Sequence, residues 1–116
     1  MGFRIIVKKI HRRIVRLRLK PIRVFCLHQV CYSFDPLRCF ESDWIPEDKF
    51  KTEMEKMLDD YSFISLTEAQ HKLITDFFRR KNYAVLTFDD GYRSNLPILK
   101  WLDAHFVPYT LFLNGN

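Results

Sequence analysis

The side chains most able to do chemistry in this sequence are two adjacent carboxylates, Asp89 and Asp90, in Thr87-Phe88-Asp89-Asp90-Gly91-Tyr92. Carboxylates take up protons and bind cations, so a positioned pair is a candidate for acid–base or metal-assisted work. Tyr83-Ala84-Val85-Leu86 before them is apolar and partly β-branched and reads as a buried strand. Leu96, Leu99, Leu102 and Phe106 after them are spaced like the inner face of a helix. The pair therefore stands where a strand ends, the place at which parallel α/β sheets bind ligands. An Asp-Gly pair after a strand is also a common turn signal, in which carboxylates bond only local backbone N–H groups. Successive strand residues point to opposite faces, so joint use of Asp89 and Asp90 requires the strand to bend or stop there. Gly91 permits that.

The elements that must position this pair follow a regular order. Ile22-Arg23-Val24-Phe25-Cys26-Leu27 reads as a first strand, and His28 at its end faces the same mouth as Asp89. Residues 31 to 46, with Pro36, Pro46, Asp35, Ser42 and Asp43, read as a long connection, in which Phe40 and Trp44 offer faces for a sugar ring. Phe50, Met54, Met57, Leu58 and Tyr61 then form one face of a helix whose amino end carries Glu47 and Asp48. Ser62-Phe63-Ile64-Ser65-Leu66 is a short strand. Thr67 with Gln70 makes a capping box for a second helix, with Ala69, Leu73, Ile74, Phe77 and Phe78 as its buried stripe and His71 off it. Strands alternating with helices imply an α/β domain with a parallel sheet.

The stretch from Tyr83 to Leu113 resembles the first motif of the polysaccharide deacetylases, the family that includes chitooligosaccharide and peptidoglycan N-deacetylases. Thr87-Phe88-Asp89-Asp90-Gly91-Tyr92 carries the resemblance. Asn95-Leu96-Pro97-Ile98-Leu99-Lys100-Trp101-Leu102 looks like the helix that follows, and Pro108-Tyr109-Thr110-Leu111-Phe112-Leu113 like the family's Pro-x-Thr-x-Phe strand. His28-Gln29-Val30 is similar to the ending of the family's first strand, so the resemblance extends from about Ile22 to the end of the chain. It implies a distorted (β/α) barrel with parallel strands. A full barrel takes roughly 200 residues or more, so this chain is expected to carry an incomplete, amino-terminal portion of about half.

The same resemblance implies a metal-dependent hydrolase that removes N-acetyl groups from amino-sugar glycans. Asp89 is then the general base, Asp90 a ligand of a divalent metal, expected to be zinc, and His28 and Tyr92 neighbours of the substrate. The family completes its metal site with a His-x-x-x-His motif on a later strand. His11, His28, His71 and His105 have no such spacing. Two function classes stay open: the amino-terminal part of a deacetylase, inactive alone, or a non-catalytic remnant that binds a glycan or a partner.

At 116 residues there is room for one domain, and 47% hydrophobic with eleven phenylalanines excludes a disordered or low-complexity chain. The net charge of +5 is segregated. Residues 1 to 24 hold nine bases and no acid, leaving ten bases against fourteen acids, a balance of −4, for the rest. Residues 1–21 thus read as a basic amphipathic leader ahead of a domain at 22–116. The leader's longest apolar run, Ile5 to Val7, is too short for a signal-peptide core or a membrane span. Such a segment either lies on an anionic membrane surface, here through residues 1 to 20, or is a solvated extension. No nucleic-acid partner is expected. Cys26, Cys31 and Cys39 make neither a disulfide framework nor a zinc knuckle, and Cys26 reads as a packing residue. Free thiols without an export signal favour a cytoplasmic location or the inner membrane surface.

Overall fold

A computed structural model describes residues 20–33, 37 and 44–115. Nearly all of the leader, Cys39, Phe40 and most of the long connection lie outside the described residues. The central element is strand β5, Tyr83–Asp89, in which every residue from Ala84 to Phe88 is buried. That burial on both faces is what a run without alternation implies for an interior parallel strand. Strand β1, Arg23–Leu27, lies parallel along one edge of β5, with Val24 opposite Val85 and Leu27 opposite Phe88. The other edge is shared. Strand β4, Ser62–Phe63, takes the amino end of β5 and strand β6, Thr110–Phe112, the carboxyl end, where Phe112 stands opposite Asp89. Strands β2, Gln29–Cys31, and β3, Trp44–Pro46, form a separate parallel pair. The fold is mixed α/β with parallel strands, and the described strands form open sheets with no closed barrel.

The helices among the described residues are α1, Glu47–Asp60; α2, Leu66–Thr75; and α3, Leu96–Ala104, entered through a 3-10 turn at Arg93–Asn95. Leu86 and Phe88 on one face of β5 pack with Phe50 and Met54 of α1 and with Ile98, Leu99 and Leu102 of α3, closed by Val30 and Val107. The Phe88 ring meets Phe50 at 6.3 Å and Tyr109 edge-on at 6.2 Å. Val85, one residue out of phase, points to the other face and joins a small cluster with Ile64 and Ala69.

Several sequence expectations need correction. The short strand stops at Phe63, because Ser65 rather than Thr67 caps α2, its Oγ accepting from the Glu68 N–H at 3.1 Å. The local Ser-x-x-Glu pattern starts the helix two residues earlier than Thr67-x-x-Gln70. Of the stripe expected to be buried, only Ala69 is: Leu73 is 55%, Ile74 77% and Phe78 61% exposed, and the helix ends before Phe77. In α3, Leu96 and Phe106 are exposed, and the core-facing residues are Ile98, Leu99 and Leu102. A three-residue spacing slips by about 60° per step on a 3.6-residue helix, so Leu96 and Leu102 cannot share a face. Phe106 lies past the helix end at φ 55°. In α1, Phe50 and Met54 are buried but Leu58 is exposed, and Tyr61 follows the last turn. Trp44 belongs to β3 rather than to a loop. Among the described strands β6 pairs with β5 alone.

Candidate active site

Asp89 is the last residue of β5, and the chain turns immediately after it. Asp90 and Gly91 both take left-handed backbone, φ 68° and φ 62°. Asp tolerates that region better than most side chains do, and glycine occupies it freely. The break in the strand therefore falls at Asp90 itself, one residue before the glycine. A Cβ on Gly91 would also stand 2.6 Å from Leu113 Cδ2, so the glycine lets the segment after β6 close against the turn. Asp90 is fully on the surface side of this turn, whereas Asp89 is half-buried at the strand end.

Two side chains of the neighbouring strand end converge on Asp89. The Cys26 thiol, opposite Thr87 in the β1–β5 ladder and so diagonal to Asp89 on the same face, donates to Asp89 Oδ2 at 3.2 Å. His28 Nε2 lies 3.8 Å from the same oxygen, at ion-pair range and beyond a direct hydrogen bond. The hydrogen bond to Asp89 raises the Cys26 pKa above its ordinary value, a bond to Thr87 opposes it, and burial and the charges of Asp89 and Asp90 add to the rise. Cys26 therefore stays a protonated donor near neutral pH. This corrects its reading as a packing residue: it is exposed and points at the carboxylate. The signal was available in the strand alternation. Phe25 and Leu27 face the helices, so Cys26 must face the other way, with Thr87 and Asp89.

Asn95 holds the two halves of the site together. Its side chain is buried, its Nδ2 donates to the His28 carbonyl at 2.8 Å, and its Oδ1 accepts from the Val30 N–H at 2.7 Å. Gln29 Nε2 donates to Ser94 Oγ at 2.8 Å beside it. The bend carrying His28 is thus tied to the 3-10 turn that follows Asp-Asp-Gly. Asn95 stands at the amino end of α3 but makes no side-chain cap there, which is why local sequence reading, with its preference for Asn as a cap, misses its role. Tyr92 lies at the entry to the 3-10 turn and lines an open cleft with Gln29, Arg93, Ser94, Leu96 and Pro97. The structure therefore brings His28 to Asp89 and places Tyr92 next door. His71 is exposed, and His105 closes α3 with its Nδ1 2.7 Å from the Trp101 carbonyl.

A catalytic zinc takes three protein ligands. Among the described residues no three His, Cys, Asp or Glu side chains converge in that way. His28 and Asp89 make a pair, and Asp90 projects from the turn, so these residues do not complete a zinc site. A half-buried carboxylate beside an imidazole is suited to proton transfer. Compared with family models, curated proteins and solved structures, the chain matches none. No helix among the described residues is long and apolar enough to cross a membrane.

Proposed function

We propose that the chain carries the amino-terminal part of a hydrolase of the polysaccharide deacetylase type, acting on N-acetylated amino-sugar glycans. The observation that carries the reading is Asp89 at the carboxyl end of the central strand, its Oδ2 faced by the Cys26 thiol and by His28. In this reading Asp89 is the base that takes the proton from water attacking the acetyl carbonyl. Its hydrogen bond from Cys26 fixes the carboxylate's direction. Asp90, redirected by its left-handed backbone, is the carboxylate offered to a divalent metal, and the remaining ligands come from outside the described residues. Tyr92 and the adjoining cleft border the sugar. The incomplete (β/α) barrel belongs to the same proposal, supported by the parallel order of β1, β5 and β6 with α3 as a crossover.

Zinc titration by calorimetry, with thermal melting alongside, compares wild type with Asp90→Ala. Weak binding that the substitution weakens further, without turnover of an N-acetylated chitooligosaccharide by either protein, is expected of a partial site. Binding indifferent to Asp90→Ala removes Asp90 as a ligand and favours the alternative, a non-catalytic glycan- or partner-binding domain.

A further inference from the structure

The carboxyl end of α2 exposes apolar side chains that the core does not use. Leu73, Ile74 and Phe78 are all more than half exposed, and they sit within six residues of one another. Clustered aliphatic and aromatic side chains at the surface mark an interaction site more often than scattered ones do. Their surroundings are basic. Arg80, Lys81 and Lys20 are exposed, and Arg80 and Lys81 follow Phe78 closely in the chain. Lys72 on the same helix is half-buried, its Nζ 4.5 Å from the centre of the Tyr83 ring, and the acids of this segment are Glu68 and the half-buried Asp76.

Arg79 makes this corner a fixed structure. Its buried guanidinium donates through Nε to the Lys20 carbonyl at 3.0 Å, and through one terminal nitrogen to the carbonyls of Asp76 at 2.9 Å and Lys72 at 3.4 Å. Lys20 Nζ in turn donates to the Arg80 carbonyl at 2.8 Å. One arginine thus binds carbonyls at the carboxyl end of α2 and ties Lys20 to it. Seven further bases precede Lys20 in the sequence.

We propose that this corner docks on an anionic lipid surface, with Leu73, Ile74 and Phe78 entering the interface and Lys20, Arg80 and Lys81 pairing with headgroups. Apolar insertion ringed by bases is the chemistry by which peripheral proteins hold such surfaces. Two of the three apolar side chains, Leu73 and Ile74, have no ring to stack on a nucleobase. A second copy meeting this face about a two-fold axis would bring like charges together. The inference is independent of the deacetylase reading.

Co-sedimentation of the full chain with phosphatidylglycerol–phosphatidylcholine vesicles and with pure phosphatidylcholine vesicles tests it. Wild type is expected to bind the anionic vesicles about tenfold more tightly. Ile74→Ser/Phe78→Ser, with thermal melting unchanged, should lose about tenfold on the anionic vesicles, and Phe78→Leu should retain binding. Arg80→Gln/Lys81→Gln changes exposed side chains only and should lose severalfold, an arm that decides the matter if the double serine variant does not fold. Equal binding to both vesicles overturns the proposal, as does wild-type binding by either double variant. A wild-type dimer dispersed by Ile74→Ser/Phe78→Ser also overturns it, in favour of self-association.

Discussion

Helices α2 and α3 are built from similar material and meet different fates. Each leads from one parallel strand to the next, and each carries an apolar stripe legible in sequence. In α3, Ile98, Leu99 and Leu102 are in the core. In α2 only Ala69 is, while Leu73 and Ile74 stand in solvent. Their starts differ in the same sense. Ser65 caps α2 locally through the Glu68 N–H, whereas Asn95 at the start of α3 reaches 65 and 67 residues back along the chain, to Val30 and His28. Periodicity thus tells which residues share a face, and not whether that face finds a partner. The helix that finds one is the helix that follows the carboxylate turn, so the better-packed half of the molecule is also the half that holds Asp89, Asp90 and His28.

The largest effect should come from the two stripes themselves. Leu102→Ala, at a residue with no exposure, is expected to cost about 3 kcal/mol in denaturant unfolding. Leu73→Ala should stay within about 0.5 kcal/mol. Equal costs would mean that α2 is packed in solution and would remove the contrast. Next is the long-range clamp: Asn95→Ala leaves the Val30 N–H and the His28 carbonyl without their partner and should cost about 2 kcal/mol. Near-neutral behaviour would show that the His28 bend is held by its strands alone. The smallest is the local cap, where Ser65→Ala should cost about 1 kcal/mol. A cost as large as that of Asn95→Ala would make the two helix starts equivalent.

Strand β5, the alternation of β1, β4, β5 and β6 with helices and the position of the carboxylates at a strand end were legible because each rests on local pattern, whereas the β2–β3 pair, with β3 in a stretch that reads as a connection, was not. The burial of Ala84 to Phe88 follows from an uninterrupted apolar run, and the turn follows from Gly91. The role of Cys26 was legible in principle from alternation along β1, once Phe25 and Leu27 are assigned to the helix side. The exposure of Leu73, Ile74 and Phe78 was not, because burial depends on what lies opposite a helix and no local signal encodes that. Asn95 was hidden for a related reason: a polar residue before a helix looks like a cap, and only the approach of His28 and strand β2 offers it other partners.

The sequence by itself determined that a parallel strand ends in two carboxylates and a glycine, and that the basic charge is confined to the first residues. Both are properties of residue type and near-neighbour spacing. The tertiary structure decided that Asp89 faces a thiol and an imidazole more than sixty residues earlier in the chain, and that Arg79 ties Lys20 to the end of α2. Those contacts arise when β1 pairs with β5 along its whole length, which places residues that are remote in sequence within hydrogen-bond reach.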